Sequence, residues 1–224
     1  MEKNKKLINV IIVFILVIFI LMWILVKFNI ANNIDFVIKQ LVENLRTDNL
    51  NTLFIIITNL GSTIPVMAIM SGMLIYLLLK KNNNNKQTSS VKDIILIITA
   101  MVVSSSLFCG IKQIQQRDRP EILDCVVEQG GYSFPSGHAT IAMTTYLTLM
   151  ILFAKYIKNI KVKRIINSIC FFMIISIGFS RIYLGVHYLS DVIAGFSLGI
   201  LSTLVSYKII YQAHRRVKDG ANKK

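Results

Sequence analysis

The chain has 224 residues, of which 54% are hydrophobic and 16% are charged. This composition, with apolar runs longer than the roughly 18 residues that mark a membrane-spanning helix, excludes an ordinary soluble domain and indicates an integral membrane protein. The formal net charge of +14 would favour a nucleic-acid partner in a soluble protein, but here the positions of the basic residues are typical of membrane topology and predict no nucleic acid.

Six apolar segments are long enough to be predicted as membrane spans. Their approximate bounds are 7–27, 53–79, 92–111, 138–154, 165–180 and 188–211. Each is predicted to be helical, because only a helix satisfies its own backbone hydrogen bonds within one segment in lipid. The predicted fold is therefore all-α, an integral-membrane six-helix bundle that forms a single domain over residues 1–224.

The first apolar segment follows a basic N-terminus and has to be compared with a secretory signal peptide. Its apolar stretch is longer than the roughly 7–15 residues of a secretory core, and no small-x-small cleavage site follows it. We therefore expect an uncleaved first span.

Between the first two spans, residues 33–46 predict a short amphipathic helix. Apolar residues recur there at helical spacing and draw a single stripe: Ile34, Val37, Ile38, Leu41, Val42 and Leu45. Two placements fit this pattern. The helix can lie on the outer leaflet as an interfacial helix, or it can pack against the tops of the spans.

The basic residues predict the orientation of the bundle. Only seven of the 25 lysines and arginines fall on one side of the predicted membrane, namely Lys27, Lys39, Arg46, Lys112, Arg117, Arg119 and Arg181. Because basic residues concentrate on the cytoplasmic side, this distribution predicts an even number of spans with both termini in the cytoplasm. The Asn-rich loop 82–85 and the basic tail 214–224 are then solvated cytoplasmic segments.

Four of the seven outer basic residues crowd around one outer region, and their arrangement suggests an anion site. Lys112, Arg117 and Arg119 lie in one loop, and Arg181 ends the fifth span. Each could instead be an interfacial anchor, and that interpretation is kept for Arg117. As a group, Lys112, Arg119 and Arg181 would neutralise phosphate oxygens, for which the arginine fork is well suited.

The start of the fourth span adds to this site. Pro135 and Gly137 indicate a turn, and Ser136 is well placed to cap the helix that follows. A turn and a cap would be sufficient to explain these residues. However, free amides at a helix N-terminus attract phosphate, and glycine lets the backbone come close to it.

Two histidines and an aspartate complete a phosphoryl-transfer set. Asp191 follows His187 by four residues, so the two side chains are expected on one helical face. A neutral histidine can attack phosphorus while a carboxylate fixes its tautomer. A second histidine, His138, can protonate the leaving oxygen and later activate water. Asp191 is also costly at the start of an apolar span, and such a residue usually has a partner.

With these residues the sequence resembles the type 2 phosphatidic acid phosphatase family, within the acid phosphatase and vanadium haloperoxidase superfamily. The motifs K-x6-R-P, P-S-G-H and S-R-x5-H-x3-D occur in order at residues 112–120, 135–138 and 180–191, and all eleven fixed positions match. Each motif alone is a weak signal. Together, on one predicted face of the membrane, they are specific.

The resemblance implies a role for each matched residue. His187 would form a phosphohistidine intermediate, Asp191 would be its partner, and His138 would donate the proton to the leaving group. The phosphate-binding residues would be Lys112, Arg119, Ser136, Gly137 and Arg181. The family works without a metal or an organic cofactor, so none is expected here.

The function that follows is hydrolysis of a membrane lipid phosphate at the outer face of the plasma membrane. The candidate substrates are phosphatidylglycerol phosphate, phosphatidic acid, undecaprenyl diphosphate and diacylglycerol diphosphate. A lipid phosphotransferase, in which another alcohol accepts the phosphoryl group, would use the same residues. A non-enzymatic transporter with the same fold is a third hypothesis, but a transporter needs no nucleophile.

Two smaller features complete the predictions. Cys109, Cys125 and Cys170 are too few and too scattered for a disulfide framework or a metal cluster, although a bridge from Cys109 to Cys125 is conceivable. Gly195 and Gly199 form a G-x-x-x-G pair, which predicts a close helix contact inside the bundle and no catalytic role.

Overall fold

The computed structural model of the protein describes residues 2–82, 87–121, 125–127 and 129–221, and in these ranges it contains eight helices and no strand. The helices are α1 (Glu2–Lys27), α2 (Asn32–Glu43), α3 (Asp48–Asn59), α4 (Thr63–Asn82), α5 (Gln87–Gln115), α6 (Gly137–Tyr156), α7 (Ile160–Tyr183) and α8 (Leu189–Ala221). The prediction of an all-α membrane fold is confirmed.

Five of these helices, α1 and α5 to α8, are each long and apolar enough to cross a membrane. The second predicted span, 53–79, is wrong as a single helix, because α3 and α4 meet at an angle of 45° and are long and apolar enough to cross only as a bent pair. The break lies at Leu60 and Gly61, and a Cβ on Gly61 would stand 2.5 Å from Ile177 of α7. Pro65 was the available signal, since proline is tolerated in the first turn of a helix but not in its interior.

All five of the other spans begin or end beyond their predicted bounds. The first predicted bound, residue 7, lies five residues inside α1, and the last, residue 211, lies ten residues inside α8. Hydropathy detects only the apolar part of a helix, whereas the backbone hydrogen bonds of the helix continue into its polar ends. The predicted tail 214–224 is therefore helical up to Ala221. Most of the predicted loop 82–85 and the last three residues lie outside the described residues.

The centre of the bundle is the contact between α6 and α8, and two glycines permit it. A Cβ on Gly195 would lie 2.7 Å from the backbone oxygen of Ser136, and one on Gly199 would lie 2.7 Å from that of Thr140. Both neighbours are backbone atoms, which cannot rotate away. The predicted close helix contact of the G-x-x-x-G pair is confirmed.

We expect Gly195→Ala to destabilise the protein by about 1–3 kcal/mol, the usual cost of forcing an extra carbon into a packed contact. The helices must separate, and the start of α6 must shift relative to α8. Thermal unfolding in detergent measures the effect. Gly72→Ala on α4 is the matched control, because a Cβ there meets nothing within 4 Å. If both variants unfold at the wild-type temperature, the close contact does not carry stability.

The amphipathic helix α2 combines the two predicted placements. Ile34, Val37 and Leu41 are each more than half exposed, which is the apolar outward face that an interfacial helix needs. On its other side, Val42 packs into the cluster around Tyr183, and Asp35 is only 2% exposed. A buried carboxylate requires partners, and those partners lie in the site described below.

At the other end of the bundle, a buried carboxylate joins three helices. Asp93 of α5 accepts a hydrogen bond from Lys155 of α6 at 2.6 Å and also from the hydroxyls of Tyr156 and Tyr211. Asp93 is fully buried. This cluster fixes the ends of α5, α6 and α8 that lie farthest from the site.

Candidate active site

Most of the predicted site residues line one cavity at the end of the bundle where α5 and α7 end and α6 and α8 begin. Its volume is about 390 Å³, and its lining includes Lys112, Arg119, Gly137, His138 and His187. The other three predicted residues, Ser136, Arg181 and Asp191, are at most 2% exposed and lie behind this lining.

His187 and Asp191 are in contact, but the predicted reason for the contact is wrong. His187 lies in the turn before α8, so the two residues do not share a helical face. The Asp191 carboxylate instead turns back toward the start of its own helix, where its Oδ2 accepts the backbone N–H of Tyr188 at 3.0 Å. This is the return bond of a capping box. It leaves Oδ2 at 3.4 Å from Nδ1 of His187.

The neighbours of His187 determine its tautomer. Nη1 of Arg119 lies 3.1 Å from Nε2, and a guanidinium can only donate, so Nε2 is the acceptor nitrogen. Nδ1 then carries the proton and donates it to Asp191, with Oγ of Ser133 also within 3.3 Å. The lone pair of Nε2 therefore points toward the arginine that lines the cavity.

The His187 ring is neutral at neutral pH. Burial lowers its pKa to about 3, Asp191 works in the opposite direction, and the nearby charges of Arg119 and Arg181 lower it further. A neutral imidazole keeps the lone pair that a nucleophile or a base needs.

Two of the predicted cations are held by backbone carbonyls of the loop that precedes α6 and of the turn that precedes α8. Nζ of Lys112 donates to the carbonyls of Tyr132 and Ser133, the latter at 3.2 Å. Arg119 donates to the carbonyls of Gly131 at 2.8 Å and Val186 at 2.7 Å. Neutral carbonyls orient these cations without cancelling their charge, so the cavity keeps a positive wall.

Arg181 is positioned by side chains that the sequence did not point to. Its Nη1 donates to Oγ1 of Thr58 at 2.6 Å, and its Nη2 contacts Oε1 of Gln129, which lines the cavity. Its Nε has no hydrogen-bond partner among the described residues. The guanidinium thus lies behind Gln129, and Thr58 contacts it from the last turn of α3.

The start of α6 places His138 in the lining. Ser136 is the N-cap, as predicted, with its side chain accepting from the backbone N–H of Ala139 at 3.5 Å. The Ser136 N–H donates to the backbone oxygen of Asp191 at 3.0 Å, which ties the start of α6 to the start of α8. His138 is the second residue of α6, and it lines the same cavity as His187.

The burial and the ion pairs of Arg117 contradict its interpretation as an interfacial anchor. Its side chain is only 11% exposed, and it donates to Oδ1 of Asp191 at 2.6 Å and to Oδ2 of Asp35 at 2.8 Å. It also donates to Oγ of Ser190 at 2.7 Å. The available signals were weak: Arg117 lies two residues before a motif arginine, and Asp35 is an isolated acid near the start of α2.

Neither a metal cluster nor a disulfide is found in the described part of the chain. No group of three or more His, Cys, Asp and Glu side chains could hold a metal ion there. None of the three cysteines forms a disulfide, and Sγ of Cys125 donates to the carbonyl of Gly185 at 2.9 Å. The conceivable bridge from Cys109 to Cys125 is therefore not formed. The absence of a cofactor stays a prediction.

Residues 93–215 match the PAP2 superfamily. The chain is 36% identical over 92 residues to phosphatidylglycerophosphatase B of Bacillus subtilis, covering 41% of this chain and 45% of that protein. It is 37% identical over 78 residues to undecaprenyl-diphosphatase of Sulfolobus acidocaldarius, covering 35% of this chain and 34% of that protein. The chain thus spans less than half the length of these two curated relatives.

The fold is similar to a solved structure over nearly the whole chain. The crystal structure of a transmembrane PAP2-type phosphatidylglycerolphosphate phosphatase from Bacillus subtilis superposes with a TM-score of 0.76 at 26% sequence identity. The superposition covers 90% of this chain and 96% of that one. The similarity therefore extends beyond the matched residues 93–215.

Proposed function

Because this chain belongs to the PAP2 superfamily, we propose that it is a phosphatase that hydrolyses a phosphomonoester or a terminal diphosphate of a membrane lipid, with His187 as its nucleophile. One observation carries the proposal. The neutral ring of His187 turns Nε2 toward a cation-lined cavity, while Nδ1 is bound to a buried carboxylate. This is the arrangement that activates a histidine for covalent catalysis.

In the first step, Nε2 of His187 forms a bond to phosphorus as the bond from phosphorus to the leaving oxygen breaks. His138 donates its proton to that oxygen, which leaves on a lipid alcohol or, from a diphosphate, on a lipid monophosphate. The ring of His187 becomes positively charged in the adduct. Asp191 stabilises that charge through the Nδ1 proton.

In the second step, a water oxygen bonds to phosphorus and the bond from phosphorus to Nε2 breaks. His138, which lost its proton in the first step, now takes one from the water. The products are inorganic phosphate and the original His187, and His138 again carries a proton. Both histidine rings line the same cavity, which supports their action on one phosphorus atom.

The fixed cations supply the charge stabilisation. Phosphoryl transfer spreads negative charge over the non-bridging oxygens, and preorganised donors reduce its cost without reorganisation. Lys112 and Arg119 line the cavity directly. Arg181 reaches the same oxygens once the Gln129 side chain moves aside, and the backbone amide of Gly137, which lines the cavity at the start of α6, contributes the helix dipole.

We place the reaction at the outer face of the plasma membrane, with both termini in the cytoplasm. The distribution of basic residues supports this orientation. The relatives support a lipid substrate, since they are named for phosphatidylglycerol phosphate and undecaprenyl diphosphate. Phosphatidylglycerol phosphate, phosphatidic acid and undecaprenyl diphosphate are the first candidates. A lipid phosphotransferase would share every residue and differ only in the acceptor.

A panel assay in detergent tests the proposal. We expect phosphate release from at least one of these lipids, with a higher kcat/KM than for a water-soluble phosphate ester and with full activity in EDTA. The activity should survive EDTA because side-chain cations supply the charge that a metal would otherwise supply. Loss of activity in EDTA that a metal ion restores would contradict the proposal. Adding glycerol and other alcohols, with analysis of the products, identifies a phosphotransferase.

A further inference from the structure

Arg117 has two acidic partners, and each of them is almost completely buried. Asp191 is fully buried and Asp35 is 2% exposed. Nη1 of Arg117 donates a hydrogen bond to Oδ1 of Asp191, and Nη2 donates one to Oδ2 of Asp35. One guanidinium therefore bridges the carboxylate that holds His187 and a carboxylate on the amphipathic helix α2.

The two oxygens of Asp191 have separate tasks. Oδ2 accepts from Nδ1 of His187, the hydroxyl of Ser133 and the N–H of Tyr188. Oδ1 is bound by Arg117. A carboxylate held on one oxygen alone can turn about the bond to Cβ, whereas one held on both cannot. Arg117 thus fixes the plane of the carboxylate from the side opposite His187.

Asp35 fixes Arg117 in turn. Its Oδ1 accepts the N–H of Ser190 at 3.0 Å, and its Oδ2 accepts from Arg117 and from the Ser190 hydroxyl. The guanidinium also stacks on the ring of Tyr188, with its carbon 4.1 Å from the ring centre. Burial lowers the pKa of Arg117, but Asp191 and Asp35 raise it more, so the guanidinium stays charged.

We propose that Arg117, bridged between Asp35 and Asp191, is a positioning residue that holds the Asp191–His187 pair in its reactive geometry. The proposal rests on the proposed function of His187 as nucleophile. Arg117 does not line the phosphate cavity, so it acts through Asp191 and not on the substrate. Asp35 is the second member of this device, and through it α2 takes part in the site.

The kinetic prediction separates positioning from phosphate binding. We expect Arg117→Ala to lower kcat by about 10- to 100-fold, the range seen when a residue that orients a metal-bound histidine is removed. KM should stay within about threefold, because the three phosphate-binding cations are unchanged. Arg117→Lys should recover part of kcat, since an ammonium can reach one carboxylate but lacks the fork that reaches both.

Asp35 supplies a variant that keeps the shape of the site and removes only one charge. We expect Asp35→Asn to lower kcat by about threefold to tenfold. We expect the double variant Asp35→Asn/Arg117→Ala to be no slower than Arg117→Ala alone, because the effects of two residues that act through one contact do not add. Glu43→Gln is the matched control on the same helix. Glu43 pairs with Lys39 at 3.6 Å and does not contact the site, so the kcat of the Glu43→Gln variant should equal that of wild type.

A second readout does not depend on activity. The chain has three histidines, so nitrogen spectra of protein labelled at histidine can be assigned with single substitutions. In wild type we expect the His187 ring to carry its proton on Nδ1. In Arg117→Ala we expect a mixture of the two tautomers, whereas Glu43→Gln should match wild type.

The two readouts distinguish the possible failures. If wild type hydrolyses no lipid phosphate but the tautomer shifts in Arg117→Ala, the proposed function is wrong and the positioning role stands. If wild type is active and Arg117→Ala changes neither kcat nor the tautomer, the positioning role is wrong. A rise in KM alone would also overturn it, because that result assigns Arg117 to substrate binding.

Discussion

His187→Ala should lower kcat by at least about 10⁴-fold, because removing the nucleophile of a covalent mechanism leaves only the catalysis that binding and charge stabilisation provide. The loss should appear in kcat and in kcat/KM together. Lys112 and Arg119 still line the cavity in the variant, so KM should change little. Initial rates of phosphate release from the best lipid substrate measure this effect.

The control for this variant is another histidine-to-alanine change outside the site. His214 lies in the basic C-terminal region, so His214→Ala should keep the wild-type rate. A His187→Ala protein that is folded and retains more than about a tenth of the wild-type kcat would exclude His187 as the nucleophile, since that residual rate is far above what binding alone supplies.

Asp191→Asn should have the next largest effect, a loss of about 10³- to 10⁴-fold in kcat, similar to the loss when an amide replaces the carboxylate of a serine-protease triad. The geometry gives the reason. An amide has one accepting oxygen, but donors approach Asp191 on both sides. If the NH₂ group faces His187, it donates to Nδ1, the ring proton moves to Nε2, and the nucleophilic lone pair is lost.

If the NH₂ group turns the other way, it faces the guanidinium of Arg117 and two donors oppose each other. Neither orientation reproduces the wild-type site, so kcat should fall while phosphate binding persists. Asp93→Asn is the matched control, because Asp93 is equally buried but lies in the cluster with Lys155. It should lower stability and leave kcat per folded protein within about threefold. A wild-type kcat in Asp191→Asn would contradict the assigned tautomer.

The sequence was sufficient to predict the parts of the site that depend on residue type and order. The ordered motifs pointed to His138, His187 and the cations, and the length of the apolar runs predicted five of the spans. The cavity contains most of these residues because the motifs lie at the ends of α5 and α7 and at the starts of α6 and α8, which meet at one end of the bundle. The cap at Ser136 was predictable as well, since serine before an apolar run is a local signal.

Other contacts could not be predicted because they join distant parts of the chain. The ion pair between Arg117 and Asp35 links residues 82 positions apart, and the bond between Arg181 and Thr58 links residues 123 apart. Periodicity and composition carry no information on such pairs. The turn of Asp191 toward His187 was missed for a different reason. The spacing of four suggested a helical face, whereas the start of α8 lies between the two residues.

The central claim is that His187 carries the phosphoryl group, and trapping that intermediate tests it most directly. A lipid labelled with ³²P in its terminal phosphate is mixed with the enzyme, and the reaction is quenched in alkali within one turnover. The account predicts labelled protein whose phosphate is lost in acid and kept in base, as for a phosphohistidine, with the label on the peptide that contains His187. Full turnover without label on the protein, or label on another residue, would contradict it.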